Sequence, residues 1–198
     1  MLGHELGINW QHTTLTSFEF GVNITPSVPV SKVLEKYLEY SSNPFGKMKG
    51  GVCSEASQYR IKAYDKGAQA QLAKELMRYE VHTKKMQFLK RKGVILQNPL
   101  DLNSEAIWQD LGQMLLGFHE KTKKTHSLRE KEMTAKEIDF YFAGSSPKYW
   151  SMHRRRNKNT YKTKWRNFVT LQSKYMDLDI HAENHNKMRE KIGQLIAG

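Results

Sequence analysis

Residues 57–67, Ser-Gln-Tyr-Arg-Ile-Lys-Ala-Tyr-Asp-Lys-Gly, constrain this chain more than any other stretch. Counted by twos, Tyr59, Ile61 and Ala63 share one face, while Arg60, Lys62, Tyr64 and Lys66 share the other. Side chains alternate across a strand, so this pattern describes an antiparallel strand with one buried and one wet face. Gly67 then permits a sharp turn out of it. Two more segments alternate alike. In residues 15–24, Phe18, Phe20, Val22 and Ile24 oppose Ser17, Glu19, Gly21 and Asn23. In residues 77–84, Met77, Tyr79 and Val81 oppose Arg78, Glu80, His82 and Lys84. Paired in one sheet with apolar faces down, the three segments raise Glu19, Tyr64 and Glu80 on a common polar surface. Asp65 sits where its strand ends and can turn toward the same place.

The chain has 198 residues, 38% of them hydrophobic and 11% aromatic, enough for a real core in one domain or a domain with an appendage. No run approaches the roughly 20 apolar residues that cross a bilayer. The N-terminus, Met-Leu-Gly-His-Glu-Leu, has neither the basic region nor the apolar core of a signal peptide. Cys53 is the single cysteine, which excludes an intramolecular disulfide and a cysteine zinc site and fits a reducing cytosol. Of the formal charge of +12, nine Lys or Arg with no Asp or Glu fall between Lys148 and Lys174. Tyr149, Trp150, Tyr161, Trp165 and Phe168 interleave with them, and Tyr175 follows. Basic residues mixed with aromatics suit a nucleic-acid backbone with some base stacking; a solvated basic helix has the same composition.

In chain order, residues 1–14 read as a lead-in, and Pro26 and Pro29 put a loop after the first strand. Ser31 is placed to cap a helix running through Glu39, with Val30, Val33, Leu34, Tyr37 and Leu38 at helical spacing. Residues 41–56 read as a long loop or loose hairpin, 68–75 as a helical turn or connection, and 85–92 as a short basic helix or bend. From Asn103 the spacing turns helical, with Ile107, Trp108, Leu111, Met114, Leu115 and Phe118 on one stripe. Thr134–Glu137 matches a capping box. Residues 143–147 break that helix, one or two basic helices follow through Tyr175, and a last amphipathic helix spans 180–196. Strands precede helices, which predicts an α+β fold: an antiparallel sheet in the N-terminal half, then a helical, basic C-terminal half. The expected division is 1–125, a sheet-based nicking unit, and 126–198, a DNA-binding extension.

The chemistry that suits Tyr64 is transesterification at a DNA phosphate, with the phenolate attacking phosphorus and a 3′-hydroxyl released. Hard oxygen ligands for Mg²⁺ or Mn²⁺ would come from Glu19 and Glu80, with Asp65 a third. Lys62 or Lys66 would lower the phenol pKa or bind the phosphate. Lys84, Lys85, Lys90, Arg91 and Lys92, together with Arg154, Arg155, Arg156, Lys158, Lys162, Lys164 and Arg166, would grip the DNA backbone. Taken on spacing alone, Tyr64 reads as a strand-end tyrosine among surface charges. Tyr59 falls on the apolar face and is assigned to the core. His181 and His185 read as exposed histidines on the terminal helix. The sequence contains no phosphate-binding glycine loop, no Ser-His-Asp ordering and no dinucleotide fingerprint.

The ordered set Leu-Thr-Ser-Phe-Glu-Phe-Gly-Val-Asn-Ile at 15–24, Gln-Tyr-Arg-Ile-Lys-Ala-Tyr-Asp-Lys-Gly at 58–67 and Leu-Met-Arg-Tyr-Glu-Val at 76–81 resembles the rolling-circle replication initiators of phages and plasmids. Lys-Lys-Met-Gln-Phe-Leu-Lys-Arg-Lys-Gly-Val at 84–94 is similar to the continuation in that family. The likeness covers residues 15–125, and the basic tail more weakly. It implies Tyr64 as the nicking nucleophile and Glu19, Glu80 and Asp65 as metal ligands. It also implies origin DNA, single- or double-stranded, as partner, a cytoplasmic setting without a membrane, and room for a homodimer. Two departures stand out. Ala63 replaces a larger aliphatic residue, and the family carries more sequence before the counterpart of Leu15. The second makes a non-catalytic DNA-binding remnant or regulatory module the alternative expectation.

Overall fold

The structure, a computed structural model, describes Trp10–Ala197; the expectation for residues 1–9 lies outside the described residues. The strands are β1 (Phe18–Ile24), β2 (Tyr37–Tyr40), β3 (Asn43–Met48), β4 (Gly51–Glu55), β5 (Tyr59–Asp65), β6 (Met77–Thr83) and β7 (Lys123–Lys124). They form one antiparallel sheet in the order β1-β6-β5-β4-β3-β2-β7. Interleaved with them are short helices α1 (Val30–Leu34), α2 (Lys66–Gln69) and α3 (Gln87–Arg91), then the long α4 (Glu105–Lys121). A two-stranded ribbon, β8 (Ser127–Leu128) with β9 (Met176–Leu178), brackets α5 (Ala135–Gly144), α6 (Pro147–Arg156) and α7 (Lys158–Tyr175). Helix α8 (Ile180–Ala197) closes the described chain. The fold is α+β. No helix among the described residues is long and apolar enough to cross a membrane.

The three alternating segments are neighbours. β6 lies between β1 and β5, and Phe20, Val22, Ile24, Ile61, Ala63, Met77, Tyr79 and Val81 are all buried on one face. Helices α4 and α8 cover that face with Leu111, Leu115, Leu116, Phe118, Ile180 and Met188. Tyr59 joins them, packed against Phe88 and Phe118 with ring centroids 4.6 and 5.3 Å away. A second cluster, Leu38, Met133, Tyr141, Trp150, Phe168, Leu171 and Tyr175, lies among α5–α7. The Thr134–Glu137 capping box forms, and Pro147 opens α6. The division at 125/126 is crossed: α8, from the helical half, returns to pack on α4 and β1.

The expected helix through Glu39 ends at Leu34, and residues 37–40 form β2 instead. Pro29, not Ser31, precedes the first turn. Tyr37 packs into the sheet core while Leu38 packs into the helical cluster. A strand buried on both sides carries a continuous apolar run, which mimics helical spacing. Residues 41–56 form the β3–β4 hairpin, entered through Ser41 and Ser42 with φ of 47° and 73°.

Glu39 ties the two clusters together. Only 1% exposed, it takes both terminal nitrogens of Arg154 at 2.9 and 2.8 Å and the Lys123 ammonium at 2.8 Å. Burial pushes its carboxyl up, yet hydrogen bonds from Arg154 and Lys123 outweigh that and hold it below the usual range. Arg154 is therefore spent inside the fold rather than offered to DNA as its sequence run suggested. The same junction buries Lys124, His119 and His181. His181 is a correction too, since it is 7% exposed and not a surface histidine. Burial lowers Lys124 to about 7 and His181 to about 3.

Two outcomes follow from this junction. Glu39→Ala is expected to lower stability in urea unfolding by about 3 kcal/mol, the usual cost of breaking one side of a buried ion pair. Both buried bases bind fewer protons folded than unfolded, so stability rises with pH wherever that difference holds. Thermal melts are expected to climb from about pH 3 to 6.5 through His181 and again from about pH 7 to 10 through Lys124.

Candidate functional site on the polar face of β1, β6 and β5

Register assembles the site. Lys62 of β5 is paired with Glu80 of β6, Tyr64 with Arg78, and Glu19 of β1 with His82. The even positions of β5 and β6 and the odd positions of β1 share the face away from the core. Gly21 lies opposite Glu80, and a Cβ there would come within 2.5 Å of the Glu80 Cβ. The missing side chain leaves room for Glu80 to lie low between its neighbours.

Glu80 is the centre. It is 1% exposed, although it belongs to the face expected to be wet. Lys62 and Tyr64 of β5 and Arg78 of its own strand close on it, which alternation alone does not reveal. The Lys62 ammonium forms an ion pair with Glu80 and lies 2.7 Å from Glu19 Oε2. Arg78 Nε donates to Glu80 Oε2, and its Nη1 reaches Asn23 Oδ1 at 3.3 Å. The Tyr64 hydroxyl donates to Glu80 Oε2 at 3.2 Å.

The electrostatics follow from this packing. Burial raises the Tyr64 phenol above its ordinary value, and the Glu80 carboxylate adds to that. Burial also opposes the charge on Glu80, but hydrogen bonds from Lys62 and Arg78 win and hold it low. Lys62 is held above its usual value because Glu19 and Glu80 outweigh its partial burial. The resting state is a neutral phenol against a carboxylate already met by two cations.

Asp65 does not join. Its Oδ1 accepts from the Ala68 backbone N–H at 2.8 Å and caps α2, so the turn residue spends its carboxylate on local backbone. Lys66 also turns away, donating to Gln69 at 2.8 Å. Glu19 and Glu80 have the Lys62 ammonium between them. Among the described residues no group of three or more His, Cys, Asp or Glu is arranged to hold a metal ion. The donor set as placed does not fit Mg²⁺ or Mn²⁺ without displacing Lys62. Arg78, which the sequence placed on this face without a role, contacts Glu80 directly; its position two residues before Glu80 was the available signal.

The expected DNA-gripping residues divide into two groups. Lys84 pairs with Glu55, Arg91 meets Gln58, and Lys164 reaches the Tyr149 hydroxyl at 3.3 Å. The side chains of Lys85, Lys90, Lys92, Arg155, Arg156, Lys158, Lys162 and Arg166 are exposed and make no hydrogen bond or ion pair among the described residues. They lie on or beside α3 and along α6 and α7.

No protein-family model, curated protein or solved structure matches this chain.

Gly21→Ala is expected to push Glu80 out of its place and to cost about 1–3 kcal/mol in denaturant unfolding. Glu80→Gln keeps the shape but leaves Lys62 and Arg78 facing a neutral amide, and is expected to cost about 3 kcal/mol by the same measurement.

Proposed function

We propose that this chain is a DNA-binding replication initiator that nicks one strand through Tyr64, in the manner of rolling-circle initiators. The observation that carries the reading is the Tyr64 hydroxyl donating to Glu80 between Lys62 and Arg78. A nucleophile hydrogen-bonded to its base, with cations beside it, is what attack on a phosphodiester requires.

The resting pKa order opposes proton transfer, since the phenol is raised and the carboxylate lowered. A backbone phosphate that takes donors from Lys62 and Arg78 removes the hydrogen bonds that hold Glu80 low. Glu80 then becomes the stronger base just when the substrate is in place. The Tyr64 oxygen–phosphorus bond forms as the bond from phosphorus to the 3′-oxygen breaks. The phenolic proton passes through Glu80 to the leaving 3′-oxygen, which departs as a hydroxyl. The protein keeps the 5′-phosphate as a phosphotyrosine. The assay supplies and withholds Mg²⁺ or Mn²⁺, the ions expected from the sequence, to test whether a metal takes part.

A second reading, DNA binding without cutting, is favoured by the full pairing of Glu19 and Glu80 and by the unpaired cations of α3, α6 and α7. It gives salt-sensitive binding and no adduct. The proposed setting is cytoplasmic, and a second copy of the chain is an allowed partner.

The test is incubation with single-stranded or supercoiled DNA, with and without Mn²⁺, followed by denaturing electrophoresis. Wild type is expected to nick and to carry a covalent DNA adduct, and Tyr64→Phe to bind DNA equally well with neither. Nicking by Tyr64→Phe at the wild-type rate contradicts the proposal. DNA binding without an adduct in wild type selects the second reading.

A further inference from the structure

A pocket of about 600 Å³ opens where the end of α4, β7, α7 and α8 meet. Lys124, His126, His181, His185 and Arg189 line it, with Glu120 and Asp179 as its acids. His181, 7% exposed, places Nε2 2.8 Å from the Thr125 carbonyl oxygen. A carbonyl only accepts, so Nε2 carries the hydrogen and the neutral ring keeps a bare lone pair on Nδ1. Nδ1 is buried and has no hydrogen-bond partner among the described residues.

Lys124 has the opposite deficit. Its ammonium is buried, donates to the His119 carbonyl oxygen, and forms no ion pair among the described residues. Around it stand the Tyr37 ring from β2, His119, Glu120 and Lys121 from α4, Lys123 from β7, His126 and Asp179 from the connecting segments, and His181, His185 and Arg189 from α8. Asp179 is occupied: its Oδ1 accepts from the His181 and Ala182 backbone N–H groups at 3.2 and 2.9 Å. The imidazoles do not make a metal site. His119 and His185 approach through their Nδ1 atoms at 3.3 Å, but no third ligand completes a set among the described residues.

A buried cation with no ion pair and a buried lone pair with no donor among the described residues are both satisfied by an anion that shares one proton. We propose that this pocket binds a terminal phosphate, either inorganic phosphate or a phosphate monoester, with its negative oxygens on Lys124 and Arg189 and one proton shared between a phosphate oxygen and His181 Nδ1. An internal phosphodiester has no such proton near neutral pH, so the site selects ends and small phosphates over the DNA backbone. The depressed values of Lys124 and His181 agree, because burial outweighs the nearby Asp179 and Glu120 and a bound anion adds to their charge.

The experiment is calorimetric titration of the full chain with inorganic phosphate, with sulfate as control, in buffers of different ionisation heat. Phosphate is expected to bind with net proton uptake, to tighten by about tenfold from about pH 8 to about pH 7, and to be preferred over sulfate. Lys124→Met removes the buried charge and is expected to melt no lower than wild type. His181→Gln keeps a donor for Thr125 while replacing the basic ring nitrogen with an amide oxygen that is too weak a base to share the proton. Each is expected to weaken phosphate binding by about tenfold or more. Tyr64→Phe is expected to leave it unchanged. Tighter binding of a 5′-phosphorylated oligonucleotide than of its 5′-hydroxyl form supports the site with a DNA end as ligand. Equal affinity for the two, with inorganic phosphate bound, supports it with a small phosphate. Absence of phosphate binding, binding without proton uptake, or binding unaltered in both pocket variants overturns it.

Discussion

The pairing register of β1, β6 and β5 is the constraint on which the rest depends. A slip of one residue would turn Glu19, Lys62, Tyr64 and Glu80 into the core and Val22, Ile61 and Tyr79 into solvent. Burial of the apolar set under α4 and α8 forbids that slip, so hydrophobic packing fixes where the charges go. Gly21 adds a second lock, because only a residue without a Cβ passes so close to Glu80. The cost of burying the Glu80 carboxylate is offset by Lys62 and Arg78, which the same register delivers. Packing on one face of three strands therefore creates the electrostatics on the other.

The helical half is joined to the sheet by a comparable device. Glu39 on β2 holds Lys123 of β7 and Arg154 of α6, and Lys123 lies 4.3 Å from the centre of the Trp165 ring. The outward cations of α6 and α7 are thereby carried on a layer anchored to the sheet by a buried ion pair. This arrangement separates basic residues with structural work, such as Arg154, from neighbours such as Arg155 and Arg156 that face solvent with no ion pair among the described residues.

The alternating strands were legible because each buries one face only, and period two then survives in the sequence. Tyr64 and Glu80 were legible on one surface for the same reason. Residues 37–40 were not, since Tyr37 and Leu38 are buried in opposite directions and erase the alternation. Nor do Ser41 and Ser42 announce a left-handed turn as glycine would. Asp65 reads as an acid near a nucleophile, and only the start of α2 reveals it as a cap. The burial of Glu80 depends on side chains leaning across from adjacent strands, a property of the assembled sheet. His181 looked exposed because helical spacing does not say that α8 folds back over β7 and α4.

We propose that DNA phosphates meet the polar face of β5 and β6, not the helical cations alone. Photocross-linking to single-stranded DNA, with the modified peptides located by mass spectrometry, tests it most directly. Cross-links are expected on peptides carrying Lys62, Tyr64 and Arg78 as well as on those of α6 and α7. Cross-links confined to the helical peptides, with the sheet unmodified at saturating DNA, contradict it.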